Sequence, residues 1–247
     1  DTVKVERAGD VIPHIVSVDV KKRSDKSKKF IFPVKCPSCG SKTVKEFNLI
    51  TKKKDAVRRC SSEGFECKKV AIEKIKHFVS KDAFNIEGFG KKIVENFCEL
   101  KLIKLPQDIF NLDYQKIKNM DGWGIQSVSN LKYSIDSKKN ISFERFIYAL
   151  GIRHIGFENA KLLSKYLKSS KNLLSLSKLN NLNDLLNIDG IGETQINSIK
   201  IFFSNQTNLK VLKDLLNIVS IKKNIEVKKD GLLNDKTFLV TGKLTGI

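Results

Sequence analysis

The residues best equipped for chemistry are four cysteines. Cys36 and Cys39 are separated by two residues, twenty residues follow, and Cys60 and Cys67 are separated by six. Zinc takes four ligands at tetrahedral angles, and soft thiolates suit it. The Cys-x2-Cys turn puts two sulfurs on one side of a tight loop, which Gly40 gives the backbone freedom to close. The gap leaves room for a small hairpin, with strands expected from Val44 to Ile50 and from Ala56 to Arg59. Four unrelated buried thiols are a poor explanation in a chain with one other cysteine, Cys98, which reads as a small buried hydrophobe. No His, Asp or Glu stands at a spacing that would leave an open catalytic position, so the expected centre is structural. The odd cysteine count and the clustering point to a reducing compartment and away from a disulfide framework.

A second chemistry resides in the backbone. Three Gly-apolar-Gly breaks occur, Gly88-Phe89-Gly90, Gly122-Trp123-Gly124 and Gly190-Ile191-Gly192, and His154-Ile155-Gly156 makes a fourth with His in first place. Aligned on the second glycine, at 90, 124, 156 and 192, the copies agree at further positions. Seven before stand Ala83, Ile117, Ala149 and Leu185; four before, Ile86, Met120, Ile152 and Ile188. Four after stand Val94, Val128, Ala160 and Ile196; seven after, Phe97, Leu131, Leu163 and Ile199. Every aligned position is apolar in a chain that is 40% hydrophobic, which chance and ordinary amphipathic helices do not explain together with fixed glycines. Each copy predicts a helix, a tight hairpin and a second helix.

Glycine permits positive φ and carries no Cβ to block a close-approaching phosphate. The second helix then presents free N–H groups and its positive dipole end. Such a cradle touches no bases and reads duplex geometry. The candidate phosphate contacts are Gly88, Gly90, Lys91 and Lys92 in the first copy, and Gly122 and Gly124 in the second. Gly151, Arg153 and Gly156 follow in the third, and Gly190 and Gly192 in the fourth, with Lys200 further along. The lysines read equally well as a solvated helix face.

The elements that must position these groups follow from patterning. The chain of 247 residues carries a formal charge of +19, with 40 lysines, six arginines and 19 asparagines. A polyanion partner is the leading reading of that charge, although Lys/Asn richness is also what an A+T-rich genome produces. No apolar run approaches the roughly 18 residues that span a bilayer. Residues 1–20 alternate as two strands joined by a turn at Gly9-Asp10, and 21–29 form a basic solvated run. Helical spacing starts near residue 72, a charged linker is expected at 221–235, and 236–247 reads as a strand and a glycine turn. Both termini are expected to be cuts inside larger β-containing domains.

Several segments, in order, resemble the bacterial NAD⁺-dependent DNA ligases. Val5-Glu6-Arg7-Ala8-Gly9-Asp10-Val11-Ile12-Pro13 resembles the closing segment of that family's OB-fold, and Cys36-Pro37-Ser38-Cys39-Gly40-Ser41 with Cys60 and Cys67 its four-cysteine zinc finger. His77-Phe78-Val79-Ser80 through Gly90 resembles the opening of its helix-hairpin-helix domain, Ala149 to Gly156 its third hairpin, and Lys236 to Leu244 the first strand of its BRCT domain. This sequence departs from the family after Cys67, where Lys68-Lys69-Val70 replaces Pro-Ala-Gln, and at Phe84 and Phe89, where Met and Leu are common.

The resemblance implies a mainly α, multidomain chain: the end of a β OB-fold at 1–30, a small four-cysteine zinc finger at 31–71, an all-α helix-hairpin-helix domain with four hairpins at 72–220, a linker, and the start of an α/β BRCT domain. It implies the duplex-binding region of an enzyme that seals nicks in DNA replication and repair through ligase–AMP and DNA–AMP intermediates. Zinc would be structural, NAD⁺ and magnesium would bind outside this region, and Arg7 would lie near DNA. The catalytic machinery would sit upstream, so no catalytic residue is assigned and the chain alone is expected to be inactive. Lys228-Lys229-Asp230-Gly231 matches the Lys-x-Asp-Gly pattern of the family's adenylated lysine, but a charged linker lacks the shielded pocket such a nucleophile needs. The expected partners are nicked double-stranded DNA and the upstream adenylation domain, with no membrane, for a monomer in the bacterial cytoplasm at the nucleoid. The alternative is a non-enzymatic zinc and helix-hairpin-helix module of a repair or recombination protein.

Overall fold

The computed structural model describes residues 1–222 apart from Asp10, Leu49, Ile50 and Asn181. The Lys228–Gly231 segment, the expected strand at 236–247 and all but the first two residues of the expected linker lie outside the described residues.

The alternating N-terminus forms β1 (Thr2–Ala8) and β2 (Ile12–Asp19), paired antiparallel from Thr2↔Asp19 to Ala8↔Ile12 with a bulge between Lys4 and Val5. Gly9 turns the chain at φ +62°. Val3, Val5, Ile12, Ile15, Val16 and Val18 are all exposed on this ribbon. The basic run 21–29 is exposed throughout, and Arg23 ties it back by donating from Nε to Asp1 Oδ1 at 2.7 Å.

The cysteine segment holds β3 (Thr43–Val44), β4 (Phe47–Asn48), β5 (Lys53–Lys54) and β6 (Arg59–Cys60). Strand β3 pairs with β6 and β4 with β5, both antiparallel. These strands are shorter than the expected pair, and the return begins at Lys53, just after Lys52 takes a positive φ of 52°.

From Cys67 onward the chain is helical: α1 (Lys68–Val79), α2 (Lys91–Glu99), α3 (Tyr114–Lys118), α4 (Ile125–Ser137), α5 (Phe143–Ala149), α6 (Phe157–Leu167), α7 (Ser170–Ser175), α8 (Glu193–Ser204) and α9 (Gln206–Ile218). Helix α1 starts at Lys68, ahead of the change of pattern near 72, because Cys67 already stands as its N-cap. In the fourth copy a short 3-10 turn, Leu182–Asn187, replaces the expected first helix. Asn and Asp compete locally for backbone hydrogen bonds, which disfavours a full α-turn there.

One hydrophobic core runs from Ile72 to Val219. The twenty aligned apolar positions are all buried or half-buried, so each second helix turns the same stripe inward. Phe84 and Phe89 are buried, and Phe84 stacks on Phe78 at 4.2 Å between ring centroids. Strand β7 (Asn140–Ser142) pairs in parallel with β8 (Ser220–Lys222). Ile221 and Lys222 therefore belong to a strand, not to the expected linker; Ile221 packs against the core and pairs with buried Ile141.

Candidate metal centre and hairpin array

Three segments bring the four sulfurs together. The Cys36–Cys39 turn is closed by Gly40 N–H donating to the Cys36 carbonyl at 2.8 Å, with Gly40 at φ +76°. Cys60 arrives on β6 and Cys67 at the start of α1. The four Sγ atoms all lie within 4.8 Å of one another, with Cys36–Cys67 at 3.9 Å and Cys39–Cys60 at 3.4 Å. A tetrahedral tetrathiolate ion with bonds of about 2.3 Å needs sulfurs about 3.8 Å apart, so the donor set is close to the spacing of such an ion. Cys67 is 1% exposed and stands at the N-terminus of α1, so the fourth sulfur is fixed to the helical core. The hydroxyls of Ser41 and then Ser62 hold the Cys39 thiol down to about 5, so this ligand is ionised at neutral pH. The four cysteines can hold a metal ion, and among the described residues they are the one such group of three or more.

The four hairpins share one backbone plan. In each, the N–H of the apolar residue donates to the carbonyl three residues earlier: Phe89 to Ile86, Trp123 to Met120, Ile155 to Ile152 and Ile191 to Ile188, at 3.0–3.3 Å. In each, the second glycine is the N-cap of the following helix, and its carbonyl accepts the first helical bond, from Val94, Val128, Ala160 and Ile196. The first position has positive φ throughout: 74° at Gly88, 80° at Gly122, 58° at His154 and 92° at Gly190. His154 thus occupies the left-handed conformation that glycine supplies elsewhere. A Cβ built at Gly88, Gly90, Gly122, Gly124 or Gly156 would meet nothing within 4 Å, so these backbones face open space.

Side chains make the copies unequal. In the second, Ser127 Oγ lies 2.8 Å from Gly124 N–H and accepts from it; in the fourth, Gln195 Oε1 accepts from Gly192 N–H at 3.1 Å. Asp189 and Glu193 flank the fourth hairpin, whereas at the first the exposed Glu87 is outweighed by exposed Lys91 and Lys92, which open the following helix. An anion meets the most favourable field at the first hairpin and the least at the fourth.

The copies also pack in pairs. Trp123 of the second lies 5.5 Å from Phe97, which in turn lies 5.5 Å from Phe89 of the first. A groove of about 910 Å³ runs between them, lined by Gly88, Ile93, Gly122, Trp123, Asn130 and Tyr133. In the second pair, the Ser198 hydroxyl donates to the Thr194 carbonyl at 2.9 Å. His154, 3.0 Å away, must therefore donate to Ser198 through its Nδ1–H, joining the third hairpin to α8.

Two candidate contacts stand apart from this plan. Gly151 follows α5 at φ +63°, with its N–H on the Tyr148 carbonyl and His77 3.4 Å from where a Cβ would stand, so its place is a chain reversal beside the third hairpin. Arg7 sits on the exposed ribbon opposite Pro13. Arg153 is exposed but engaged, with Nη2 at 2.5 Å from Glu46 Oε2. Lys200 is exposed on α8. Sequence reading missed Glu46, Ser41, Ser62 and the His154–Ser198 link, none of which has a local signature. Ser127 and Gln195 were detectable, because a polar residue three after a helix N-cap is a capping pattern.

Fold and site define the class: a four-cysteine module joined to paired helix-hairpin-helix units. Residues 145–212, which hold the third and fourth hairpins, match the helix-hairpin-helix motif family. Over 247 residues the chain is 67% identical to the DNA ligase of Pelagibacter ubique (strain HTCC1062), covering 100% of this chain and 36% of that protein. It is 44% identical to the DNA ligase of Ehrlichia canis (strain Jake), with 100% and 37% covered, and 43% identical to that of Wolbachia pipientis subsp. Culex pipiens (strain wPip), with 99% and 37% covered. The sequence is thus homologous from end to end to part of the bacterial DNA ligases, and it spans about a third of the length of the relatives it matches. No helix among the described residues is long and apolar enough to cross a membrane.

Proposed function

We propose that this chain is the duplex-gripping region of an NAD⁺-dependent DNA ligase acting in DNA replication and repair. The observation that carries the reading is the repeated hairpin: four copies of one hydrogen-bonding plan, with the glycine backbones of the first three facing open space at the start of a helix. Backbone amides at Gly88–Gly90 and, in the third copy, at Gly156 would contact sugar–phosphate oxygens and so follow duplex shape without reading bases, with Gly122 and Gly190 shaping the approach in the other two copies. The first and third hairpins lead, through Lys91, Lys92 and Arg153. The second and fourth, whose Gly124 and Gly192 amides are capped by Ser127 and Gln195, contribute mainly shape.

Residues 1–30 are the end of an OB-fold, whose exposed valines await the rest of a barrel, and Arg7 lies on its DNA side. Residues 31–71 are a structural zinc finger in which Cys36, Cys39, Cys60 and Cys67 hold the metal. Zinc there supplies a cross-link between β6, the knuckle and α1. Residues 72–220 grip the duplex, and 236–247 begin a BRCT domain. NAD⁺ and magnesium act on an adenylation domain outside this chain, which has no catalytic residue of its own. The region works as a monomer in the bacterial cytoplasm, at the nucleoid.

The test is fluorescence anisotropy of the zinc-loaded chain on nicked duplexes of unrelated sequence between roughly 50 and 200 mM salt. The expected result is steep salt dependence with little sequence preference, because released counterions drive binding. A flat salt response refutes the reading. With labelled NAD⁺ the chain stays unlabelled; a labelled chain would reinstate Lys228 as a nucleophile.

A further inference from the structure

Arg153, the cation of the third hairpin, already has an anion. Its Nη2 meets Glu46 Oε2, and its Nε lies 3.4 Å from His154 Nε2. Glu46 belongs to the cysteine module, between β3 and β4, where its own carbonyl accepts from Asp55 N–H at 2.7 Å. Both side chains are partly exposed, at 42% and 38%, so the pair is within reach of a competing anion.

An open pocket of about 530 Å³ lies between the cysteines, the first turns of α1 and the third hairpin, lined by Cys36, Cys60, Cys67, Lys74, His77 and Ile155; neither Glu46 nor Arg153 lines it. The far edge of the module is fastened differently. Phe65 packs on the core, a Cβ at Gly64 would lie 2.9 Å from Asn205 Oδ1, and Cys67 runs directly into α1. The module is anchored at one edge by Phe65 and Cys67 and tied to the third hairpin at the other by Glu46–Arg153.

We propose that Glu46 is an internal surrogate for a DNA phosphate, and that its pair with Arg153 is a latch. A backbone phosphate arriving at the third hairpin displaces Glu46 from Arg153. The cysteine module, released at that edge, turns about its Phe65–Cys67 anchor. This rests on the hairpin reading above and adds to it a competition that sets how tightly the unlatched chain binds.

The experiment compares Glu46→Gln, Arg153→Gln and the double variant on a nicked duplex at fixed salt, using the zinc-loaded full chain with thermal melts as a fold control. Exposed ion pairs are weak, so Glu46→Gln is expected to tighten binding by about two- to fivefold. Arg153→Gln weakens binding, and Glu46→Gln adds nothing in the Arg153→Gln background. Glu46→Asp, which keeps the charge, restores the wild-type affinity if Glu46→Gln has not simply disturbed the module. Equal effects of Glu46→Gln in both backgrounds, or none in either while Arg153→Gln still weakens binding, overturn the latch alone. If Arg153→Gln changes neither affinity nor salt slope, the phosphate role of the third hairpin falls, and the latch with it.

Discussion

Gly90→Ala separates folding from binding at the first hairpin. Gly90 has φ −69° and ψ 169°, an extended conformation that alanine adopts freely, and an added Cβ would meet nothing within 4 Å. Two stability effects oppose each other. Alanine is a poorer N-cap than glycine, a loss of about 0.5–1 kcal/mol. The unfolded chain loses freedom when glycine becomes alanine, a gain of about 0.4–1 kcal/mol. They nearly cancel, so the melting temperature should move by no more than about 2 °C. Binding has no such compensation. The new methyl stands where a phosphate would approach the amides of Gly90 and Lys91, and a hydrogen bond to a charged group contributes about 1.5–3 kcal/mol. Losing one weakens the complex by about ten- to a hundredfold. Gly88→Ala is the contrast. At φ +74°, with equally open space, alanine incurs about 1–2 kcal/mol of left-handed strain. That variant should lower the melting temperature by a few degrees. Anisotropy on a nicked duplex and differential scanning fluorimetry, run on the same samples, decide the matter. A folded Gly90→Ala chain that binds like the wild type would show that phosphates do not approach this backbone.

Gly190→Ala should destabilise more than Gly88→Ala, since it combines φ +92° with a Cβ only 3.0 Å from Leu162 Cδ1; equal melting temperatures would contradict this. Phe97→Ala should cost about 3–5 kcal/mol by emptying the space between Phe89 and Trp123, read by chemical denaturation. Chelating the metal from the zinc-loaded chain should raise hydrogen exchange in residues 35–67 and in the first turn of α1, leaving the amides of α5 and α6 protected; uniform deprotection would show that the metal holds the whole helical core. The Lys76 ammonium, 2.6 Å from Glu73 and 2.7 Å from Glu95, holds the Glu95 carboxyl below the usual carboxylate range, while Glu73 and Glu95 push Lys76 up. The Glu95 contribution is present above the ordinary carboxylate pKa and lost as pH falls through the depressed value. The Lys76 contribution is present below the ordinary lysine pKa and lost as pH rises through the elevated one. Lys76→Met should flatten both limbs of a stability–pH curve.

What the sequence by itself determined is local. The cysteine spacing marks a ligand set because a knuckle is a short-range turn. The hairpins are legible because a glycine pair and an apolar stripe obey helical geometry within about ten residues. Even the substitution at His154 could be aligned, although only the backbone shows it taking the glycine's left-handed conformation. The tertiary structure alone decided what crosses the chain. It placed Cys67 beside the other three sulfurs and at the head of α1, joined the hairpins into two pairs through Phe97–Trp123 and His154–Ser198, and brought Glu46 to Arg153. Those contacts link residues tens of positions apart, and no periodicity encodes them. A surface glutamate and a surface arginine look alike in sequence whether they meet each other, solvent or a phosphate. Their partner is set by where the core holds the two segments.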